Sequence, residues 1–290
     1  MPFDYQASLR PYIGSVRESI ASGRQLQKAV REGRLPLRAF DLPRRSDTLF
    51  ILGSGPSINE MTADHHSVLR RHHSVGFNFW AVHPFVPDIY VLQATPNPRY
   101  DSLMADIFRV RAEDYGSTRF IVRGSSFNRG HFFKSAVWET CRDFPHMFFS
   151  SEYYVSSQVG FRPSSICRAL SATGLWRVSR RTSQLPKFGS TVSYIIFLGA
   201  SLGFTKIVLC GIDMMDSGHF YDKYHDRKLS YPVPPPAPSA GHPHMAAHRL
   251  TVKDGIVDIM KYFDRFGISI YTATQNTVLY PEIPLYQWPS

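Results

Sequence analysis

The sequence predicts an α/β fold, a doubly wound and mainly parallel Rossmann-like sheet with helices on both faces. From residue 48 onward, short apolar runs alternate with helical patterns, which is typical of strands joined by crossover helices. At 290 residues, with 43% hydrophobic and 14% aromatic residues, the chain is long enough to bury a substantial core. These observations predict a globular enzyme-sized domain.

The predicted elements follow one another along the chain. Strands are predicted at residues 48–52, 74–78, 88–93, 119–122, 206–210 and 268–272. Helices are predicted at 57–71, 100–111, 190–202 and 247–266, the third of them buried on nearly all sides. The stretch 127–184 is poorly patterned, and we predict no element there.

Two further segments flank or interrupt the predicted domain 47–290. Segment 1–46 carries nine Lys/Arg and four Asp/Glu residues, a balance of +5, and shows apolar residues at helical spacing. Such a basic amphipathic stretch can lie on an anionic membrane; a helix packed on the body or used in a subunit contact is equally consistent. Segment 213–246 is long, irregular and rich in proline, which is typical of a lid or of disorder.

Composition narrows the class of partner. The net charge of +10 favours an anionic partner, whether nucleic acid, a lipid surface or a phosphorylated substrate. No helix-turn-helix, RNP or zinc-finger pattern is present, so we expect no nucleic acid. Three widely spaced cysteines make neither a disulfide framework nor a metal knuckle, and no secretory signal or membrane span is evident. We therefore expect a cytoplasmic protein.

A glycine turn follows the first strand directly, as Gly53, Ser54, Gly55, Pro56 and Ser57. Glycines let a backbone turn sharply, and the start of the following helix offers N–H groups to a phosphate or ribose. Ser57 and the glutamate three residues later form a capping-box pattern that predicts the helix start. The turn departs from G-x-G-x-x-G, so it indicates a nucleotide other than NAD, or a purely structural turn.

Further segments occur in a recognisable order. Asn78 ends the second strand, and Gln93 opens a segment to Asn97. Ser190-Thr191 opens the buried helix, and Leu-Gly-Phe-Thr-Lys-Ile-Val-Leu-Cys-Gly-Ile-Asp leads through Gly211 to Asp213. Tyr221 stands eight residues beyond Asp213, and His244-Met-Ala-Ala-His248 precedes a helix. With the glycine turn, this series resembles the bacterial lipooligosaccharide sialyltransferases, glycosyltransferase family 42, which use CMP-sialic acid.

The resemblance implies an inverting sialyltransferase on a GT-A-like variant of the Rossmann-like fold. It assigns the general base to His248 and stabilisation of the departing phosphate to Tyr221. The remaining residues would bind the donor: Gly53, Ser54, Gly55, Pro56, Ser57, Asn78, Thr95 or Asn97, Ser190, Thr191, Gly211 and Asp213. It also implies a homo-oligomer that acts on a glycan precursor at the inner face of the bacterial cytoplasmic membrane.

The chemistry agrees with these roles. A histidine titrates near neutrality and suits a general base, and a tyrosine hydroxyl can stabilise developing charge. A CMP donor has one phosphate, so no bridging metal ion is required; the string His242, His244, His248 lacks a cysteine or acidic partner for zinc. Each residue could instead be structural: His248 a helix-start residue, Tyr221 lid packing, and Asp213 a turn cap.

Departures from the family pattern leave the substrate open. Ser54, Met215, Val192 and either Lys187 or Phe188 differ from the residues expected at these places. A CMP-Kdo or other CMP-nonulosonate donor fits the same chemistry. One alternative is a dinucleotide-dependent oxidoreductase, although this sequence lacks the third glycine of that class's motif. The other is a non-catalytic nucleotide-binding protein at the membrane surface.

Overall fold

A computed structural model describes residues 40–93, 97–123, 134–155, 162–174, 184–215, 218–225, 229–235 and 251–289, with Arg24, Lys28, Arg31, Trp176 and Val178. Within these residues, eight strands form a single sheet in which all neighbouring strands are parallel. The strand order is β6-β5-β4-β3-β2-β1-β7-β8. The predicted α/β fold with a parallel sheet is thereby confirmed.

The bounds of the elements are as follows. The strands are β1 (Thr48–Leu52), β2 (His73–Phe77), β3 (Ile89–Leu92), β4 (Arg119–Arg123), β5 (Met147–Val155), β6 (Gln184–Phe188), β7 (Lys206–Cys210) and β8 (Ser269–Thr272). The α-helices are α1 (Ala63–Arg71), α2 (Pro98–Val110), α3 (Ala136–Cys141), α4 (Pro163–Ala172), α5 (Thr191–Ser201) and α6 (Val252–Asp264). Three 3₁₀ helices are η1 (Pro56–Glu60), η2 (Asn78–Val82) and η3 (Phe220–Tyr224).

The sheet separates two hydrophobic cores. Leu49 and Ile51 of β1 pack with helices α4, α5 and α6, whereas Phe50 and Leu52 pack with α1, α2 and α3. This division follows from the alternation of side chains along a strand. Helix α5 is the central covering element, because every residue from Val192 to Ser201 is buried, as the sequence predicts.

The structure corrects the sequence prediction in two places. The poorly patterned stretch 127–184 holds helices α3 and α4, strand β5 and the start of β6. The predicted helix 57–71 is instead two elements, η1 and α1, because Thr62 caps a new helix with its side chain accepting the His65 N–H. The predicted capping box of Ser57 is therefore wrong, and the capping box lies at Thr62 and His65.

The topology places a crevice at the carboxyl edge of the sheet. The chain passes from β1 through β6 on one side, and α5 then returns it to β7 on the other side of β1. Ligands bind at such switch points in open α/β sheets. The ends of β1 and β7, where the glycine turn and Asp213 lie, are therefore the place to look for a site.

At each edge of the sheet, backbone N–H groups are missing or already bonded. Strand β6 carries Pro186, which has no N–H to donate, and the Phe188 N–H is donated to the Ser193 hydroxyl at 2.9 Å. Next to β8, the Thr272 N–H donates to the Pro284 carbonyl at 2.9 Å, and the Tyr286 N–H donates to Thr272 at 2.8 Å. The backbone groups of Phe188 and Thr272 on these edges are thus already engaged.

Three absences hold for the described ranges. No helix there combines the length and the apolar character that crossing a bilayer requires. No three metal-ligating side chains gather within those same ranges. The three cysteines, Cys141, Cys167 and Cys210, are free and buried, and burial raises the pKa of each thiol.

Two histidines are buried in the fold. His73 is 0% exposed, and its Nε2 accepts the Arg45 N–H at 2.9 Å. His83 is 7% exposed and stacks on Trp80, with ring centroids 4.4 Å apart. Burial lowers the pKa of His73 to about 4 and that of His83 to about 3. Both rings are therefore neutral in the folded protein near neutral pH.

We expect the free energy of unfolding to fall as the pH is lowered from about 6.5 toward 4. The unfolded chain binds protons at these histidines from their ordinary pKa of 6.5, and the folded chain does not. The slope reaches up to about 1.4 kcal/mol per pH unit for each histidine. Urea unfolding at a series of pH values measures it. His73→Gln, whose amide oxygen can replace Nε2, should give a shallower slope; an unchanged slope would contradict the assignment.

Candidate active site

Backbone hydrogen bonds tie the glycine turn to the end of β7. The Gly53 N–H donates to the Cys210 carbonyl and the Gly55 N–H donates to the Gly211 carbonyl, both at 2.8 Å. Gly211 has a φ of 63°, in the left-handed region that glycine adopts without strain. A Cβ at Gly55 would lie 2.4 Å from Oδ2 of Asp213, so the turn has no space for a larger residue there.

Asp213 holds the following helical turn. The Ser57 N–H donates to Oδ2 of Asp213 at 2.8 Å, and the Ser57 hydroxyl donates to Oδ1 at 2.5 Å. Asp213 is 3% exposed, and burial raises the pKa of its carboxyl group, although the bonds from Ser57 oppose that shift. Both carboxylate oxygens thus have partners, which favours the turn-capping interpretation of Asp213 over a ribose contact.

Asn78 has an unusual backbone conformation at the end of β2. Its φ is 52°, in the left-handed region where asparagine is the most tolerated residue after glycine. The Tyr90 hydroxyl donates to its carbonyl and helps to hold this conformation. Residues with this kind of backbone strain are often found at ligand-binding and active sites. The side chain of Asn78 lies at the cavities described next.

A first cavity of about 390 Å³ lies along the carboxyl edge of the sheet. Eight residues predicted to bind the donor line it: Ser54, Gly55, Pro56, Asn78, Ser190, Thr191, Gly211 and Asp213. Its volume lies within the range of small-molecule sites. The structure therefore brings the glycine turn and the start of α5 together around one space.

A buried charge cluster, formed by Arg123, Glu152 and Lys187, lies at the α5 end of this cavity. Nε of Arg123 lies 3.2 Å from Oε2 of Glu152, and Nζ of Lys187 lies 3.6 Å from Oε1. Arg123 also donates to the Thr191 hydroxyl at 2.7 Å and to the Gln93 side chain. The three ionised side chains sum to +1, so the charge cluster favours an anionic ligand.

Lys187 is the member of the charge cluster whose pKa is lowered toward neutral pH. Its side chain is 12% exposed, and it lines the first cavity with Arg123. Burial, and then the charge of Arg123, lower the pKa of Lys187 to about 8, while Glu152 raises it. Sequence analysis missed the roles of Arg123 and Glu152; a charged residue that ends an apolar strand is the signal that could have indicated them.

The start of α5 completes this end of the cavity. Ser190 caps the helix, because its hydroxyl accepts the Ser193 N–H at 3.3 Å. The Ser193 hydroxyl in turn donates toward the Ser190 and Phe188 carbonyls, at 2.8 and 3.0 Å. These bonds fix the end of β6 against the helix start, where the positive end of the helix dipole adds to the charge of the cluster.

A second cavity of about 350 Å³ adjoins the first, and Ser54, Asn78, Gln93 and His219 line both. Tyr221 lines the second cavity and is 4% exposed. Burial raises the pKa of Tyr221, and the neighbouring Asp222 adds to that shift. The hydroxyl of Tyr221 therefore stays protonated and can donate a hydrogen bond.

Part of the predicted lid covers this second cavity. Pro234 and Pro235 line it. The hydroxyl of Tyr231 donates to the Val82 carbonyl at 2.9 Å, and the guanidinium carbon of Arg111 lies 5.5 Å from the Tyr231 ring centroid. Residues 216–217, 226–228 and 236–246 of the predicted lid lie outside the described residues.

The remaining predicted residues lie elsewhere. Gly53 and Ser57 shape the turn without lining either cavity, and Asn97 caps α2, its side chain accepting the Arg99 N–H at 3.0 Å. Asn97 therefore serves its helix and does not reach the cavities. Thr95 and His248 lie outside the described residues.

We expect the Asp213 contacts to dominate the stability of the turn. Ser57→Ala removes one hydrogen bond and should lower the free energy of unfolding by about 1 kcal/mol. Asp213→Ala leaves two buried donors without a partner and should lower it by about 2 to 4 kcal/mol. Urea unfolding tests both. Thr62→Ala, an exposed helix cap, is the matched control; if Asp213→Ala is no worse than this control, the turn does not depend on Asp213.

Comparisons with known proteins complete the description of the site. No family model and no curated protein matches the chain. Among solved structures, it is similar to an α-2,3-sialyltransferase from Campylobacter jejuni in apo form (14% identity, 86% of this chain and 85% of that chain, TM-score 0.44). It is also similar to the monofunctional α-2,3-sialyltransferase Cst-I from Campylobacter jejuni (12%, 86% and 83%, TM-score 0.45). A third similar structure, the MAf glycosyltransferase from Magnetospirillum magneticum, has 15% identity over 85% of this chain and 35% of that chain, with a TM-score of 0.46.

Proposed function

We propose that this chain is an inverting glycosyltransferase, a sialyltransferase or a close relative. It moves sialic acid, or a related nonulosonate or Kdo, from its CMP donor to a hydroxyl group of a bacterial surface glycan. One observation carries the proposal: a single cavity has a glycine turn at one end and a cationic cluster at the other. A donor with a nucleotide at one end and an acidic sugar at the other matches that cavity.

The nucleotide lies against the glycine turn. Ser54, Gly55 and Pro56 line this end of the first cavity, together with Gly211, whose carbonyl accepts the Gly55 N–H. The two glycines permit the tight turn that brings the backbone of residues 54–56 to the cavity, where the cytidine and its phosphate can contact it. Asn78, held in its left-handed conformation, presents an amide that can hydrogen-bond the donor.

The acidic group of the sugar lies at the charge cluster. Arg123 and Lys187 exceed Glu152 by one positive charge, and the start of α5 adds the dipole of a helix N-terminus. A charge that is buried against the cluster interacts more strongly than it does in water. A carboxylate on the donor sugar is the ligand that this end of the cavity favours.

Transfer is a single displacement at the anomeric carbon. The bond from that carbon to the phosphate oxygen breaks, and its electron pair leaves with CMP. The acceptor oxygen forms the new bond from the opposite face, and its proton passes to the imidazole of His248. The hydroxyl of Tyr221 donates a hydrogen bond to the departing phosphate. With a single phosphate on the leaving group, the reaction proceeds without a metal ion.

The position of α6 supports His248 as the base. The helix begins at Val252, later than predicted, with Thr251 as its cap. Val252 lines the first cavity, and His248 precedes it by four residues. Four residues span at most about 14 Å, so the chain length alone keeps His248 within reach of the cavity region.

The remaining features belong to the cellular setting. The protein acts in the cytoplasm at the inner face of the membrane, where the basic segment 1–46 contacts anionic lipid. It works as a homo-oligomer. The lid segment 213–246 closes over the donor and excludes water, which limits hydrolysis.

The first test is release of CMP from CMP-sialic acid and CMP-Kdo, with and without a glycan acceptor. His248→Ala should lower the acceptor-dependent rate by about 10²- to 10⁴-fold, because the acceptor loses its base. Tyr221→Phe should lower kcat by about 10²-fold through loss of one donor. His225→Ala, on the exposed end of η3, is the control and should match the parent.

Two results would sink the proposal. One is that neither donor turns over while CMP still binds, which favours a non-catalytic nucleotide-binding protein. The other is full acceptor-dependent activity of His248→Ala.

A second test concerns the charge cluster. Lys187→Met should weaken binding of an unreactive CMP-sialic acid analogue by at least about tenfold, because a buried charge pair with the carboxylate is lost. Binding of CMP alone should change by less than about twofold, and Lys187→Arg should restore the analogue's affinity. Calorimetry measures all three. An equal loss for CMP and the analogue would place the phosphate, not the carboxylate, at the cluster.

A further inference from the structure

His219 lies where the two cavities meet. It is one of four described residues that line both, with Ser54, Asn78 and Gln93, and it is the only one of the four that carries an imidazole. A side chain at this junction can contact a ligand that extends from one cavity into the other. Sequence analysis assigned no role to it.

Backbone contacts pin the segment around His219 to the glycine turn. The Phe220 N–H donates to the Ser54 carbonyl at 3.0 Å, and the Asn59 side chain donates to the Phe220 carbonyl at 3.2 Å. The position of His219 is therefore set by the same turn that lines the nucleotide end of the first cavity.

A reciprocal cap fixes the ring of His219. His219 caps η3: its carbonyl accepts the backbone N–H of Asp222 at 3.1 Å, its side chain faces the same N–H, and the carboxylate of Asp222 accepts the His219 N–H at 2.7 Å. Gly218 permits this approach, since a Cβ there would lie 2.4 Å from Oδ2 of Asp222. When the ring nitrogen that faces this N–H accepts it, a neutral ring carries its proton on the other nitrogen, which can then donate.

The donor nitrogen has a matching neighbour. The ring centroid of His219 lies 4.8 Å from that of Tyr221, with an interplanar angle of 31°. The two side chains thus lie side by side at the start of η3, and each carries one group that can donate a hydrogen bond. Met215, which also lines the first cavity, has a thioether and cannot donate.

We propose that His219 is a second hydrogen-bond donor to the departing phosphate, acting beside Tyr221. This role rests on the proposed glycosyl transfer. As the bond from the anomeric carbon to the phosphate oxygen breaks, the electron pair stays on the phosphate of CMP. The ring N–H of His219 donates to a phosphate oxygen and keeps its proton; the acceptor's proton goes to His248. Two donors that are positioned before reaction stabilise the developing charge without reorganisation.

A pair of substitutions separates the two ring nitrogens. His219→Asn can keep the acceptor for the Asp222 N–H but has no group where the donor nitrogen was. His219→Gln can place an amide N–H near that donor position. The readouts are kcat and KM for CMP release, CMP affinity by calorimetry, and the thermal midpoint. His225→Asn, at the other end of η3, is the matched control.

We expect His219→Asn to lower kcat by about 10²-fold with little change in thermal midpoint, since one oxyanion donor is lost. His219→Gln should recover at least about tenfold of that loss. A kcat for His219→Asn within twofold of the parent overturns the role of His219 and leaves the transferase intact. Equal losses in both variants with a lowered thermal midpoint reassign His219 to folding of η3. Failure of the parent to turn over any CMP-sugar refutes both proposals together.

Discussion

The hydrogen bonds from Ser57 to the buried carboxylate of Asp213 hold the carboxyl edge of the sheet in shape. They join the turn after β1 to the end of β7. Strands β2 to β6 lie on one side of β1 and strands β7 and β8 on the other, so these bonds lie at the switch point of the sheet. The Phe220 N–H donates to the Ser54 carbonyl and so holds segment 218–221 against the same turn. The floor of the first cavity and the side chains at its junction with the second therefore depend on one carboxylate, which explains why it is buried.

The charge cluster presents a different energetic problem. Three ionised side chains that are nearly free of solvent pay a desolvation penalty which their mutual contacts offset only in part. Their bonds reach from β4 through β5 to β6 and on to Thr191 of α5, so the cluster also fixes the strands against the helix. Replacement of a buried ionic cluster by well-packed hydrophobic residues is often neutral or stabilising. The retention of an excess positive charge beside a cavity is more readily understood as ligand recognition than as a contribution to stability.

The sequence predicted the parallel sheet and the glycine turn because these depend on local signals. Strands β1 and β7 are apolar runs that end at glycines, and α5 is apolar on every side. Strand β5 escaped prediction because aromatic, serine and glutamate residues interrupt its pattern, and β6 because it contains proline. The partner of Ser57 was also beyond sequence reasoning, since 156 residues separate it from Asp213. The pairing of Arg123 with Glu152 was also beyond sequence reasoning, because it depends on which strands are neighbours in the sheet.

The edges of the sheet bear on how copies of this protein can assemble. Alternate residues of a strand direct their N–H groups to the same side, so Gln184, Pro186 and Phe188 share the outer side of β6. Proline offers no N–H, and that of Phe188 is taken by Ser193, so neither residue can donate a backbone hydrogen bond to an incoming strand. The opposite edge is occupied by the chain around Leu285. Continuous sheets that run from one protomer into the next are thus disfavoured, which favours contacts between subunits through helices and loops.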